Sequence, residues 1–269
     1  MSTAALERPA SLDISSTRPL PFGRLVSVEV RKTYDTRAGL WLLISMAIVT
    51  ALVMVIQLAV VVSQNLTVGY ADFMLSTSFS IGVFLPVLGI LLMSSEWGQR
   101  TAMVTFSLEP RRWRVIAAKL VVGLILAVAA VVVALALGAL CNLLYGALSG
   151  DPVTWDLGVS QTVKFFALQE IGMLTGFALA ALLLNSAAAI VIYFVYSFVL
   201  PPIFELGTLI DWFADVRPWI DFGAAQTPLF DESTPLDGDA WAHLLVSGLI
   251  WLVLPLVIGW WRVLRAEVK

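Results

Sequence analysis

Apolar residues in this chain gather into long runs instead of alternating with polar ones. A membrane-crossing helix needs about 20 mostly apolar residues. Six stretches meet that need: 39–63, 74–94, 116–144, 162–184, 187–204 and 241–261. The third is long enough to tilt or to project beyond a bilayer. The fourth and fifth nearly merge, and Asn185-Ser186 is the only polar break between them, so a tight turn is expected there. The pattern predicts an all-α membrane protein with six transmembrane helices. Pro86 and Pro255 fall inside spans, where they are expected to kink the helix and shape its packing.

Composition agrees with this pattern. Of the 269 residues 59% are hydrophobic and 13% charged, whereas soluble domains run near 45–50% and about 25%. The placement of charge then sets direction. Fourteen of the 16 basic residues fall on one side of a six-span arrangement; only Lys164 and Arg217 fall on the other. The segment from Glu205 to Asp239 carries eight acids against one Arg. Both termini are therefore expected in the cytoplasm of a multi-pass protein. Residues 1–21 have no apolar core after their basic residues and read as a cytoplasmic tail, not a cleavable signal; 265–269 reads as a second short tail. A use of Ala, Val, Leu and Trp typical of GC-rich genomes points to a bacterial plasma membrane.

Two segments between spans carry more than anchoring charge. Within 94–119, Trp97, Thr101, Val104 and Leu108 recur at helical spacing, which predicts a short helix, a turn at Pro110 and a second helix entering the membrane. A plain anchor needs only Lys or Arg, whereas this helix also offers Trp97, Val104 and Phe106. Between the fifth and sixth spans, Leu206, Leu209, Ile210, Phe213 and Val216 predict one or two short helices lying on the outer membrane face. Asp211, Asp215 and Asp221 are expected to face water there, with Thr234 or Asp239 capping the last span. Before the first span, Val26, Val28 and Val30 alternate with polar residues at a strand period, yet a position beside the membrane favours an interfacial helix over 22–38.

The stretch "EWGQRT…SLEPRRWRVIAAK" after a second span resembles the ABC-2 type permease family, the membrane subunits of ATP-binding cassette exporters. The residues that carry the resemblance are Glu96, Trp97, Arg100, Thr101, Pro110, Arg111 and Lys119. It implies a six-span transmembrane domain over 39–264, a connecting helix over 22–38, a cytoplasmic coupling helix, and extracellular re-entrant or interfacial helices before the last span. It implies coupling to an ATPase through Glu96, Trp97, Arg100, Thr101, Val104, Phe106, Arg111 and Arg112. It also implies a pathway lined by the second and fifth spans, here with Phe79, Phe84, Tyr193, Phe194, Tyr196 and Phe198, suited to an apolar or amphipathic cargo such as a drug, a lipid-like molecule or a peptide. The partners implied are ATP-binding subunits and a second copy of the chain or a related permease.

No G-x-x-x-x-G-K-[ST] occurs, so ATP and Mg are expected on the partner and not on this chain. One cysteine, Cys141, and one histidine, His243, cannot supply a zinc site. Neither H-E-x-x-H nor G-x-S-x-G is present, which argues against an intramembrane enzyme. Glu170 is the one acid deep in a span. An acid there is a candidate functional residue by default, beside a stripe of small residues at Gly172, Gly176 and Ala180. Two alternatives stay open: a secondary carrier or channel using Glu170, and a non-transporting ABC-like membrane subunit.

Overall fold

The computed structural model describes residues 20–99, 101–231 and 233–266. The expected tail 1–21 lies almost wholly outside the described residues, as do 267–269. All regular structure among the described residues is helical, and six helices are long and apolar enough to cross a membrane.

Helix α1 spans Phe22–Asp35 and settles the ambiguity in the valine pattern. Its buried residues are Glu29 and Thr33, one turn apart, while Val26 and Val30 pack against the cluster of Leu88, Leu92 and Val122. The face turned to the bundle thus mixes charge with valine, and the strand-like alternation was a by-product. Helix α2 (Arg37–Ser63) begins where Thr36 Oγ1 accepts the Gly39 N–H at 3.2 Å. Helix α3 (Tyr70–Gly98) runs unbroken through Pro86. Helix α4 (Ala102–Leu108) is the short segment before α5 (Arg112–Ser149), which ends at Gly150 in the left-handed conformation favoured at helix C-termini. Helix α6 (Val159–Leu183) is followed by the expected tight turn: Leu184 takes φ 53°, and Asn185 Oδ1 caps Ala188 N at 3.0 Å.

The last two spans are composite. The fifth comprises α7 (Ser186–Phe194), a π turn at Val195–Val199 and α8 (Leu200–Gly207). After α9 (Asp211–Ile220) and α10 (Phe222–Ala225), the sixth comprises α11 (Gly238–Gly248), a π turn at Leu249–Val253 and α12 (Leu254–Arg265). Each π turn immediately precedes prolines, Pro201-Pro202 and Pro255. Proline has no N–H, and its ring excludes the carbonyl four residues back, so the helix widens there. Asp237, rather than Thr234 or Asp239, caps α11 through Ala240 N at 2.9 Å.

Half of the most apolar window of α3 and of α6 is buried, against 17% for α2 and 11% for Ser186–Gly207. The pair α3–α6 is therefore the axis around which the other spans pack. They lie two crossings apart and so run in the same direction, joined at their start by Ala71 N donating to Asp156 Oδ1 at 2.9 Å.

Candidate functional site

At the basic end of the bundle four charged side chains close into one network, three of them buried and Lys32 partly exposed. Lys119, in the third turn of α5, is 3% exposed; its Nζ lies 2.7 Å from Glu29 Oε2 and 3.4 Å from Glu96 Oε1, and donates to Leu92 O at 3.1 Å. Lys32 Nζ lies 2.6 Å from Glu29 Oε1 and 2.8 Å from Glu96 Oε1. Thr105 Oγ1, on α4, donates to Glu96 Oε1 at 3.0 Å. Two carboxylates meet two ammonium groups, so the cluster is neutral, and it joins α1, α3, α4 and α5. Burial draws the Lys32 pKa down, but the Glu29 and Glu96 carboxylates outweigh it and hold the group above the usual lysine range.

A second cluster ties the same region to the last span. Arg112 Nη1 donates to Val263 O at 3.1 Å and Ala266 O at 2.7 Å, so it covers carbonyls left free at the end of α12. Its guanidinium sits 4.9 Å over the Phe106 ring. Phe106 in turn faces Trp97, with ring centroids 6.1 Å apart. Beside it Arg114 pairs with Glu109 at 2.7 Å. Hydrogen bonds from a charged donor contribute about 1.5–3 kcal/mol each at most. Arg112→Ala is therefore expected to speed amide exchange over the last turn of α12 and to lower stability by about 1–2 kcal/mol, with Arg112→Lys intermediate because it lacks the planar fork; hydrogen-exchange mass spectrometry reads both.

The coupling residues implied by sequence thus divide. Glu96, Trp97, Phe106 and Arg112 face inward, where Glu96 is 5% exposed and Trp97 and Phe106 border the core. Trp97 belongs to α3, because the chain turns after Gly98 before α4 starts, so it shares no face with Val104. Thr101, Val104 and Arg111 are exposed. Arg100 lies outside the described residues. Three large apolar side chains of α4 stand out to solvent: Met103 at 56%, Val104 at 60% and Leu108 at 73%. Sequence reasoning did not pick out Glu29 and Lys32. The signal available was helical register, since Glu29, Lys32 and Thr33 sit at i, i+3 and i+4.

The aromatic residues expected along a pathway differ in exposure, and those of the fifth span touch in series, with ring centroids 6.0 Å apart for Tyr193–Phe194, 6.1 Å for Tyr193–Tyr196 and 5.8 Å for Phe194–Phe198. Tyr193 is buried and donates to Gly82 O at 3.3 Å. Tyr196 stacks on Trp251 at 4.9 Å, so the two π turns touch. Phe84 and Phe194 are half-buried, whereas Phe79 and Phe198 point outward from the bundle. Glu170 is half-buried, and its Oε2 has no hydrogen-bond partner among the described residues. The same holds for Nε2 of Gln169, which is 2% exposed, and for Ser78 Oγ.

Short helices do occupy the acidic connection, α9 and α10. Asp211 and Asp215 are exposed as expected, but Asp221 is buried at 2%. It caps Ala224 N and accepts from Arg217 Nε at 3.1 Å, while Arg217 Nη1 also reaches Glu205 at 2.5 Å. Trp251 Nε1 donates to Ile220 O at 2.7 Å. Both long elements flanking the connection thereby hold it in place. No family model matches the chain, and no curated protein matches it.

Proposed function

We propose that this chain is the membrane-spanning permease subunit of an ATP-driven exporter of the ABC-2 type, with hydrolysis carried out by a separate nucleotide-binding subunit seated on α4. The observation that carries the reading is the two-sided character of α4. Outward it presents Met103, Val104 and Leu108 at a polar, basic end where apolar side chains gain nothing from water. Inward it is wired through Thr105 to Glu96, and through Phe106 to Arg112. A push on α4 reaches α1, α3 and α5 by the first route and α12 by the second, and rigid tilts of packed helices are an ordinary form of two-state change. The basic end is then cytoplasmic, α1 is the connecting helix at the membrane surface, and α9–α10 roof the outer side. ATP and Mg sit on the partner. The complex holds two permease subunits and moves an apolar or amphipathic molecule outward.

The test is co-purification with an ATPase subunit encoded beside the chain. Val104→Asp combined with Leu108→Asp is expected to cut recovery of the ATPase at least ten-fold while the thermal midpoint of the isolated chain holds, because both side chains are exposed. Failure of any ATPase to bind the unaltered chain, or equal binding by the double variant, sinks the reading. A second reading is a secondary carrier, favoured by the unpartnered oxygen of Glu170. It requires ATP-independent uptake into vesicles that Glu170→Gln abolishes.

A further inference from the structure

Next to the charge network the helices part around a cavity of about 720 Å³, walled by α1 to α5. Its α3 wall runs from Leu88 to Gly98, about 15 Å along the axis at 1.5 Å per residue. Chemistry changes along that length. One part of the lining is Leu42, Leu88 and Leu92; the other is Glu29, Lys32 and Glu96. The carboxylate-bearing side chains there are each 6% exposed, while that of Lys32 is 40% exposed. Among the described residues of the network, the group left open to an incoming molecule is thus the Lys32 ammonium, itself paired with both carboxylates.

The lining decides what can enter. Water gains nothing from leucine walls. A single alkyl chain is slender enough and would lie against Leu42, Leu88, Leu91 and Leu92. We propose that the cavity is a lipid site: it takes one acyl chain of a glycerophospholipid from the leaflet on the basic side, with the lipid phosphate against Lys32. Val104 and Leu108 of α4 stand at its mouth, so the bound lipid would bridge α1 and α4. The proposal goes beyond the exporter reading but shares Val104 and Leu108 with it, so its test leaves both residues unaltered.

Delipidated chain in a neutral detergent is titrated with dipalmitoyl phosphatidylglycerol and read by native mass spectrometry. One lipid per chain is expected to stay bound, and an equal concentration of inorganic phosphate is expected not to displace it, because the tail supplies the anchorage. Leu91→Trp and Leu42→Trp fill the cavity from different helices and are expected to weaken retention at least ten-fold with an unchanged helical spectrum. Either variant suffices if the other fails to fold. Absence of a retained lipid on the unaltered chain overturns the proposal, as does equal retention by the filled variants. Displacement by phosphate alone would reduce the site to an anion contact at Lys32. Loss of the ATPase from the filled variants with lipid binding intact would assign the cavity to the partner.

Discussion

Replacing Lys119 with Met is expected to lower the stability of the chain by about 3–5 kcal/mol, the cost of breaking a buried ion pair by removing one member. The side chain is 3% exposed and neutralises Glu29 Oε2 at 2.7 Å while lying 3.4 Å from Glu96 Oε1. Without it two carboxylates share Lys32 alone, and Lys32, 40% exposed, is screened by solvent and salt in a way Lys119 is not. Removing a negative charge as well should recover much of the loss, so Lys119→Met with Glu29→Gln is expected to be more stable than Lys119→Met alone. That sign of the coupling separates a charge effect from lost packing. Lys119→Arg is expected to fall between, since a planar fork does not fit a position built around a compact ammonium that also donates to Leu92 O. Thermal unfolding of the unaltered chain, Lys119→Met, Glu29→Gln and the double variant in one detergent measures the cycle. Additive effects, with no recovery in the double variant, would show that the network is not electrostatically coupled.

The charges of this network were all visible in the sequence, but their meeting was not. Glu29 and Lys119 are 90 positions apart, and Lys32 and Glu96 are 64 apart. No local period announces a contact of that kind. The spans, by contrast, were legible because each must satisfy its own backbone within its own length, and a run of apolar side chains is the direct record of that. The turn at Leu184-Asn185 was legible for the same reason: only a polar pair can interrupt lipid-facing helix and still cap the next one. The helix expected after Pro110 begins at Arg112 and continues into the third span, and its first charges do not stop it because Arg114 and Lys119 find buried partners. The coupling segment was read as one face through Trp97 and Val104, since spacing alone cannot register the turn after Gly98 that puts the two residues on different elements. Asp221 was expected in water on the strength of its neighbours. It is buried because the backbone of α10 and Arg217 both need an acceptor there. The two π turns follow from Pro201-Pro202 and Pro255. Their consequence, contact between Tyr196 and Trp251, depends on where the spans sit beside one another.

The stripe of small residues on α6 leads to the other large effect, and it is expected to be uneven along the stripe. A Cβ on Gly176 would collide with the carbonyl oxygen of Pro86, and one on Gly89 of α3 would come 2.5 Å from Met173 O. In both places the obstacle is backbone, which cannot rotate aside. At Gly172, one turn away on the same helix, a Cβ would meet only Pro86 Cγ at 3.4 Å, an ordinary contact. Gly176→Ala and Gly89→Ala are therefore each expected to cost about 1–3 kcal/mol, at the upper end of overpacking, and Leu at either position more. Gly172→Ala should be neutral or gain up to about 1 kcal/mol from helix propensity. The contrast tests the geometry and not merely the residue type, because a general role for small residues in helix association would penalise all three alike. It also bears on the proposed activity. The axis α3–α6 carries Glu96 at one end and Gln169 and Glu170 further along, so a wedge at Gly176 sits between the network at the basic end and the unpartnered polar atoms within the spans. If α3 and α6 tilt as one body during transport, ATP turnover by the partner in a complex with Gly176→Ala should persist while its response to the permease is lost. Unchanged stability in Gly176→Ala, or equal loss in Gly172→Ala, would mean that the two helices do not approach as closely as Pro86 and Met173 require.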